Sequence, residues 1–471
     1  MTNVDADFEE AQRLVFNEYC DVKPLQDRHT SVQMMEYYLD ALDLDISQLK
    51  FVHVTGSKGK GTTCAYVDAA LRKHGLKTGL FTSPHIQDLC ERFRINGTKI
   101  TRDVYLQHFH VVWDKLQEIK ARKNRPEYIA NWPGFFRFLT LIAFRYFLSE
   151  HVDVVILEVG MGGRLDCTNV ISSALTTGIT LIDLEHTEIL GHTLSAIAFE
   201  KGGIFKPGAP AVVLRQSEEV LETLRRCADD AKCSLQIVDH SNLPRAFPCE
   251  ETCLLDNFTV AYFLTKNVLA HFGKKIDDDC MMEVAKSTHV AARFQKIAVG
   301  GNLFLLDGAH TPRSMLAASA WFRGEMKSLE GRKKTLLFYC GRDKNSVSLL
   351  ASLVTLPFDR IVLTMVKHPK PEYTHVELPT VEEVMEKAGI AEENLFDSVP
   401  SCSVEWLVYL AEIWRIEEFL QKEPQKTICF VRDADECVAE LERDEVVFCT
   451  GSLYLCGDLL NAVKWTESCV C

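Results

Sequence analysis

The chain has 471 residues and a mass of 53.3 kDa, enough for two or three domains at about 100–200 residues each. Hydrophobic residues make up 47% and charged residues 25%, proportions that exclude a disordered or fibrous chain. Lys and Arg number 52 against 66 Asp and Glu, a formal charge of −14; such a surface repels phosphate backbones and anionic lipid, so neither nucleic acid nor a membrane is an expected partner.

The 17 cysteines run from Cys20 to Cys471 without a Cys-x-x-Cys pair, the closest spacings being Cys249/Cys253 and Cys469/Cys471. That dispersal matches buried thiols in a reducing compartment and neither a zinc cage nor a secreted disulfide framework. The first ten residues are acidic, unlike a secretory or transit peptide. No apolar run reaches the ~18 residues of a membrane span; the longest, 138–148, is broken by Arg145. The expected location is the cytoplasm, with a mitochondrial form open to an alternative start.

In chain order, apolar bursts alternate with helical periods. Phe51–Val54 reads as a strand, Cys64–His74 as a helix, Phe135–Ser149 as a helix and Val152–Val159 as a strand, followed by strands at Thr176–Leu181 and Ala211–Leu214. Runs apolar on both faces belong to parallel strands covered by helices, so the expected class is α/β. After a changeover near Arg293–Asp307, with a short strand Leu303–Leu306, a second α/β pattern begins at Lys334. Its strands are Leu336–Cys340, Ile361–Met365, Thr427–Val431 and Val446–Thr450, with helices Ser346–Leu356, Ser403–Leu420 and Ala434–Arg443 between them. The expected domains are 1–295, a P-loop domain, and 296–471, a smaller Rossmann-like domain. The histidines His108 and His110, two apart, are expected to share one face and to be structural.

The segment Val54-Thr55-Gly56-Ser57-Lys58-Gly59-Lys60-Gly61-Thr62-Thr63 joins a buried strand to a helix. A glycine-rich turn opening a helix cradles phosphate oxygens in backbone N–H groups, and Lys60 neutralises their charge. The loop departs from the general phosphate-loop pattern in two places. Val54 occupies the first glycine position, and Gly61 stands where a metal-binding Ser or Thr should follow the lysine.

Gly56–Thr62 (GSKGKGT), Thr82-Ser83-Pro84-His85, Glu91–Gly97 (ERFRING), Leu157–Asp166 (LEVGMGGRLD), Glu185-His186-Thr187, Glu200–Phe205 (EKGGIF), Asp307-Gly308-Ala309-His310 and Thr450-Gly451-Ser452-Leu453 together resemble the folylpolyglutamate synthase family of Mur-ligase-like, ATP-dependent amide ligases. The resemblance runs in order from about residue 30 to 465. It implies that ATP phosphorylates a glutamyl carboxylate of a reduced folate and that L-glutamate attacks the acyl phosphate, extending a polyglutamate tail that retains folate in the cell. It further implies a monomer acting on small molecules, Mg2+ at one or two sites, and a monovalent cation.

Carried onto this chain, the resemblance assigns Gly56, Ser57, Gly59, Lys60, Gly61 and Thr62 to the nucleotide phosphates. Ser83, Glu158 and His186 become metal ligands, with Ser83 supplying the hydroxyl that Gly61 lacks. Lys201 matches a lysine that the family carries as a carbamate. Arg293, Asp307 and Asn257 are assigned to the phosphates, ribose and adenine, and His310 to catalysis. Arg92 and Arg94, alternating on a short strand, are candidates for the folate tail. Three departures are visible: Glu185 where aspartate is usual, Ala291-Ala292 where Pro-Gly is usual, and the altered Leu255-Asp256-Asn257. Competing readings are a dihydrofolate synthase or a bifunctional enzyme and, from another class, a nucleotide switch without ligase chemistry.

Overall fold

The computed structural model describes residues 3–20, 29–122, 124–129, 133–249, 251–367 and 405–466. The chain divides into two compact units, Met1–Thr288 and His289–Cys471. The sequence-based division at 295/296 falls later, inside the first strand of the second unit, because Gln295 already pairs with Leu306.

The first unit is built on eight strands: β1 (Phe51–Thr55), β2 (Thr78–Phe81), β3 (Phe93–Ile95), β4 (Thr98–Lys99), β5 (Val154–Glu158), β6 (Thr176–Ile179), β7 (Ala211–Leu214) and β8 (Leu235–Val238). Their order is β4-β3-β2-β5-β1-β6-β7-β8. The six from β2 to β8 run parallel, while β3 and β4 form an antiparallel edge. In register, Val54 faces Glu158, Thr55 faces Ile179 and Phe81 faces Leu157, so β1, β2, β5 and β6 end along one edge. Ligands of open parallel sheets bind at that edge.

The inner strands β1, β5, β6 and β7 are buried at every position, which explains their uninterrupted apolar runs. Helices Lys60–Lys73 and Thr252–His271 share one core with β1 and β5, through Cys64, Val67, Phe258 and Leu264. Phe135–Ser149, carrying Phe138, Leu141 and Phe144, packs with Phe51 and Val155 in another. The helix after β1 begins at Lys60, ahead of the expected Cys64, because the left-handed Gly59 (φ 86°) turns the chain into it.

The second unit has six strands: β9 (Gln295–Val299), β10 (Asn302–Asp307), β11 (Lys334–Phe338), β12 (Arg360–Leu363), β13 (Thr427–Phe430) and β14 (Val446–Thr450), ordered β13-β12-β11-β14-β10-β9. All neighbours are parallel except β9, which forms a hairpin with β10. The helix expected from Ser403 is seen as Glu405–Leu420; residues 403 and 404, like Cys469 and Cys471, lie outside the described residues.

Two local expectations are corrected. His108 and His110 lie on the helix Arg102–Ala121, where residues two apart point in opposed directions; His108 is buried and His110 exposed. Arg92 ends a 3-10 turn, Leu89–Arg92, and only Arg94 belongs to β3. The Cys90 N–H donates to the Asp88 side chain and the Asp88 N–H to the Glu91 side chain, a cap that stabilises the turn over an extension of the strand.

Close approach makes one glycine indispensable. A Cβ at Gly79 of β2 would stand 2.7 Å from the ring of the fully buried Phe147. Gly79→Val should cost about 1–3 kcal/mol through overpacking, read as a lower urea midpoint at unchanged slope.

Candidate active site

Strand β1 delivers the chain into a loop whose shape depends on two glycines. A Cβ on Gly56 (φ 155°) would stand 1.8 Å from Thr180 Oγ1, and one on Gly59 would stand 1.9 Å from Asn257 Oδ1. The loop is clamped against the segment after β6: Ser57 and Lys58 donate their N–H groups to the Leu181 carbonyl at 2.7 and 3.2 Å. The Thr180 hydroxyl donates to the Lys58 carbonyl at 2.6 Å and the Ser57 hydroxyl to Asp183 O at 3.0 Å. Beyond Gly59 the helix Lys60–Lys73 opens, bringing Gly61 and Thr62 into its first turn, where N–H groups lack intrahelical acceptors and the helix dipole favours anions. Asn257, from the helix Thr252–His271, covers the turn, and its carbonyl accepts the Thr63 hydroxyl at 3.3 Å.

Positive charge is concentrated here. Lys60 Nζ and Lys201 Nζ both donate to the carbonyl of Gly56, at 2.9 and 2.8 Å. Lys201, only 1% exposed, also meets Glu185 Oε1 at 3.2 Å, while Lys58 Nζ lies 3.8 Å from the other Glu185 oxygen. Burial first, and then the neighbouring Lys60, bring the Lys201 amine down to about 8 against the counter-pull of Glu185. Burial alone would raise the Glu185 carboxyl, but Lys60, Lys201, Lys58 and His186 together hold it below its ordinary value.

Glu158 ends β5 on the same edge, 3% exposed. One of its oxygens accepts the Ser83 N–H at 2.8 Å, and the carboxylate faces the first helical turn, its nearer oxygen 3.4 Å from where a Cβ on Gly61 would stand. Ser83 and Glu158 are thus brought together beside the loop. His186 caps the short helix Thr187–Leu190 in a left-handed conformation (φ 47°), next in sequence to the Glu185 that pairs with Lys201. Among the described residues no three His, Cys, Asp or Glu side chains gather into a metal cage. A hard cation bound at Glu158 would therefore complete its shell from hydroxyls, water and phosphate, as Mg2+ does with nucleotides.

Arg92 and Arg94 are not used alike. Arg92 is buried, donates from Nε to His85 Nδ1 at 2.9 Å and lies over the Phe135 ring at 5.5 Å; burial and then Arg92 keep His85 neutral, its pKa down to about 3. Arg94 donates to the carbonyl of Gly97 at 3.0 Å, within its own hairpin.

In the second unit, Asp307 ends β10 and accepts the Phe294 N–H at 3.0 Å. Ala292 and Phe294, on either side of Arg293, have positive φ (56° and 45°), and the Gly308 N–H donates to Ala292 O at 3.0 Å. Arg293, Asp307 and His310 thus belong to one tight junction. His310 Nδ1 donates to Gly308 O at 2.8 Å, which makes Nε2 the basic nitrogen. The roles of Lys58, Glu185, Thr180 and Asp166 were not read from the sequence; the sole signal was Glu185 standing in place of an aspartate.

No protein-family profile matches the chain. It is 33% identical over 448 residues to folylpolyglutamate synthase of Saccharomyces cerevisiae (strain YJM789), covering 88% of this chain and 77% of that protein. It is 35% identical over 369 residues to the mitochondrial folylpolyglutamate synthase of Bos taurus, covering 71% of this chain and 62% of that protein, and thus spans less than two thirds of this mammalian relative. Among solved structures, folylpolyglutamate synthase of Thermotoga maritima superposes with a TM-score of 0.72 at 22% identity, covering 98% of both chains. The Mycobacterium tuberculosis enzyme complexed with ADP superposes at 0.75 and 21% identity, covering 98% of this chain and all of that one. These structural likenesses speak to the fold.

Burial also brings Lys206 down to about 8. Well below pH 8 both lysines are protonated whether folded or unfolded. Between about 8 and 10.5 these two lysines have released protons in the folded chain that the unfolded chain still binds, so their contribution to stability rises with pH in that window, while buried thiols such as Cys90, Cys167 and Cys340, raised by burial, contribute in the opposite direction. The urea midpoint of the wild type, measured relative to that of Lys201→Met, should rise across it.

Proposed function

The chain belongs to the folylpolyglutamate synthase family, and from that premise we propose that it joins L-glutamate to the γ-carboxylate of a reduced folate or its glutamate tail, consuming ATP. The observation that carries this reading is the set of three lysines around one glutamate at a glycine loop opening a helix, beside the buried carboxylate of Glu158. A carboxylate is a poor electrophile. Transfer of the γ-phosphoryl group makes it an acyl phosphate, the glutamate amine displaces phosphate, and ADP and phosphate leave.

In this reading Lys60, the N–H groups of Gly59 and Gly61 and the turn from Gly56 through Ser57 to Thr62 bind the phosphates. Ser83, Glu158 and His186 are the ligands proposed for Mg2+, which when bound would screen the phosphate charge. The oxygen donors of Ser83 and Glu158 suit that hard cation; His186 is assigned by resemblance. Lys201, with an amine near 8, has enough neutral amine near neutral pH to add CO2, which favours the carbamate role; as an ammonium it serves as the partner of Glu185. In the second unit, Asp307 is assigned to the ribose, Arg293 to the phosphates and His310 Nε2 to the proton lost by the incoming amine; Asn257 is assigned to adenine. Arg92 and Arg94 are the candidates for a folate carboxylate, Arg92 bonded to His85 and Arg94 to its own hairpin.

Reduced folate, L-glutamate and ATP are the proposed partners of a cytoplasmic monomer, with a monovalent cation as a further ligand. Among the described residues no helix is long and apolar enough to cross a membrane.

Release of ADP that requires both tetrahydrofolate and glutamate tests the reading, and ADP release without glutamate would refute it. Dihydropteroate offered as the acceptor distinguishes a dihydrofolate synthase. Lys60→Ala should abolish turnover; a near-normal rate would remove the loop from the site. Glu158→Gln should lose metal-dependent activity while its circular dichroism and melting temperature stay close to wild type.

A further inference from the structure

His53, at the centre of β1, leads into the phosphate loop, and no step above uses it. It is fully buried, and its Nε2 lies 2.9 Å from the hydroxyl of Thr168, also fully buried. That hydroxyl is 2.5 Å from Asp166 Oδ1, which also accepts the Thr168 N–H at 2.9 Å, while Asp166 Oδ2 accepts the Met161 N–H at 3.0 Å. A carboxylate receiving backbone donors on both oxygens is an acceptor, so the Thr168 proton goes to Asp166. The hydroxyl oxygen must then accept from His53, which assigns the Nε2–H tautomer and leaves Nδ1 without a hydrogen-bond partner among the described residues. Burial, with Lys206 adding to it, keeps the ring neutral, its pKa down to about 3.

The chain of bonds ends on the glycine loop between Glu158 and Asp166. Thr55 ties the same loop to β1 through Gly162 O at 2.6 Å. A Cβ on Gly163 would stand 2.9 Å from the carbonyl oxygens of both Glu200 and Lys201, and Arg164 N–H donates to Glu200 O at 2.7 Å. The loop is therefore the floor on which the Lys201 helix rests. Asn169, in the same 3-10 turn as Thr168, bridges Arg164 O and Gly203 O at 3.1 Å each.

We propose that His53, Thr168 and Asp166 form a positioning device: a one-way hydrogen-bond chain from the phosphate-loop strand that sets the height of the glycine loop and, through it, the place of Lys201 relative to Gly56. This rests on the ligase reading for its catalytic consequence, but not for its structural one. His53 is a positioning residue, since it acts only through Thr168 and the loop. The proton order matters because a group without an N–H at position 53 leaves the Thr168 oxygen buried with no donor.

The test compares His53→Leu, which removes the donor, His53→Gln, which keeps an N–H at similar reach, and Thr168→Val, which keeps the shape of threonine without its hydroxyl. Amide hydrogen exchange and steady-state kinetics are measured on each full-length protein. In His53→Leu and Thr168→Val, exchange at Met161 and Thr168 should quicken by about tenfold or more while amides of the helix Lys60–Lys73 stay unchanged, and kcat should fall about ten- to a hundredfold with KM for ATP within roughly twofold. His53→Gln should restore both. Unchanged exchange at Met161 overturns the proposal, as does a kcat that falls only in step with melting temperature and is not rescued by glutamine. If the leucine variant fails to fold, Thr168→Val carries the test. If the wild type ligates no glutamate, the function reading fails while the exchange data still decide the hydrogen-bond chain.

Discussion

Two ammonium groups share one backbone oxygen at the phosphate loop. Lys60 and Lys201 converge on the carbonyl of Gly56, and a carboxylate beside them, Glu185, already serves Lys201 and Lys58. Like charges at such range in a water-poor setting raise each other's cost, and this adds to burial, the larger cause, in holding the Lys201 amine low. A dianionic phosphate chain relieves that cost in a way that no neutral ligand does. The concentration of charge also sets a local positive field within a chain of net charge −14.

The sheet makes this concentration possible. Because β1, β5 and β6 are parallel and in register, a loop residue, a strand-end carboxylate and a second loop meet along one edge without long side chains having to reach for one another. The cost is crowding, met with glycine: at Gly56 against Thr180, at Gly59 against Asn257, and at Gly163 against the backbone of Glu200 and Lys201. Each marks a place where two backbones or a backbone and a side chain must touch.

Much of this was legible in the sequence because buried parallel strands leave continuous apolar runs, as at Val154–Leu157, and because the strand–glycine–helix order of the loop has few structural alternatives. The loop therefore lies at a strand-to-helix turn and Glu158 at a strand end, as the pattern implied, whereas Ser83 was singled out only through the resemblance. Arg92 was misplaced because period-two alternation cannot see the Asp88 cap that turns the chain into a 3-10 helix. His108 and His110 were misread for the same reason: two histidines two apart carry no period of their own within an amphipathic helix. Edge strands such as β3 and β4, two or three residues long, leave too little pattern to detect. Lys58 and Glu185 were hidden because an ion pair across 127 residues is a tertiary fact, set by the clamp of the loop on Leu181.

The missing hydroxyl at position 61 is explained by the carboxylate next to it. The glycine leaves its face of the first helical turn open, and the Glu158 oxygens occupy that side, at 3.4 and 3.6 Å from where a Cβ would begin. A serine there would project its oxygen beyond that Cβ, into crowding or a hydrogen bond that ties the carboxylate down. A serine of another segment, Ser83, stands beside that carboxylate, its backbone N–H donating to Glu158. A phosphate loop that gives up its own hydroxyl thus gains room for a buried acid at the strand end, and the departure from the common loop pattern and the position of Glu158 are one structural solution.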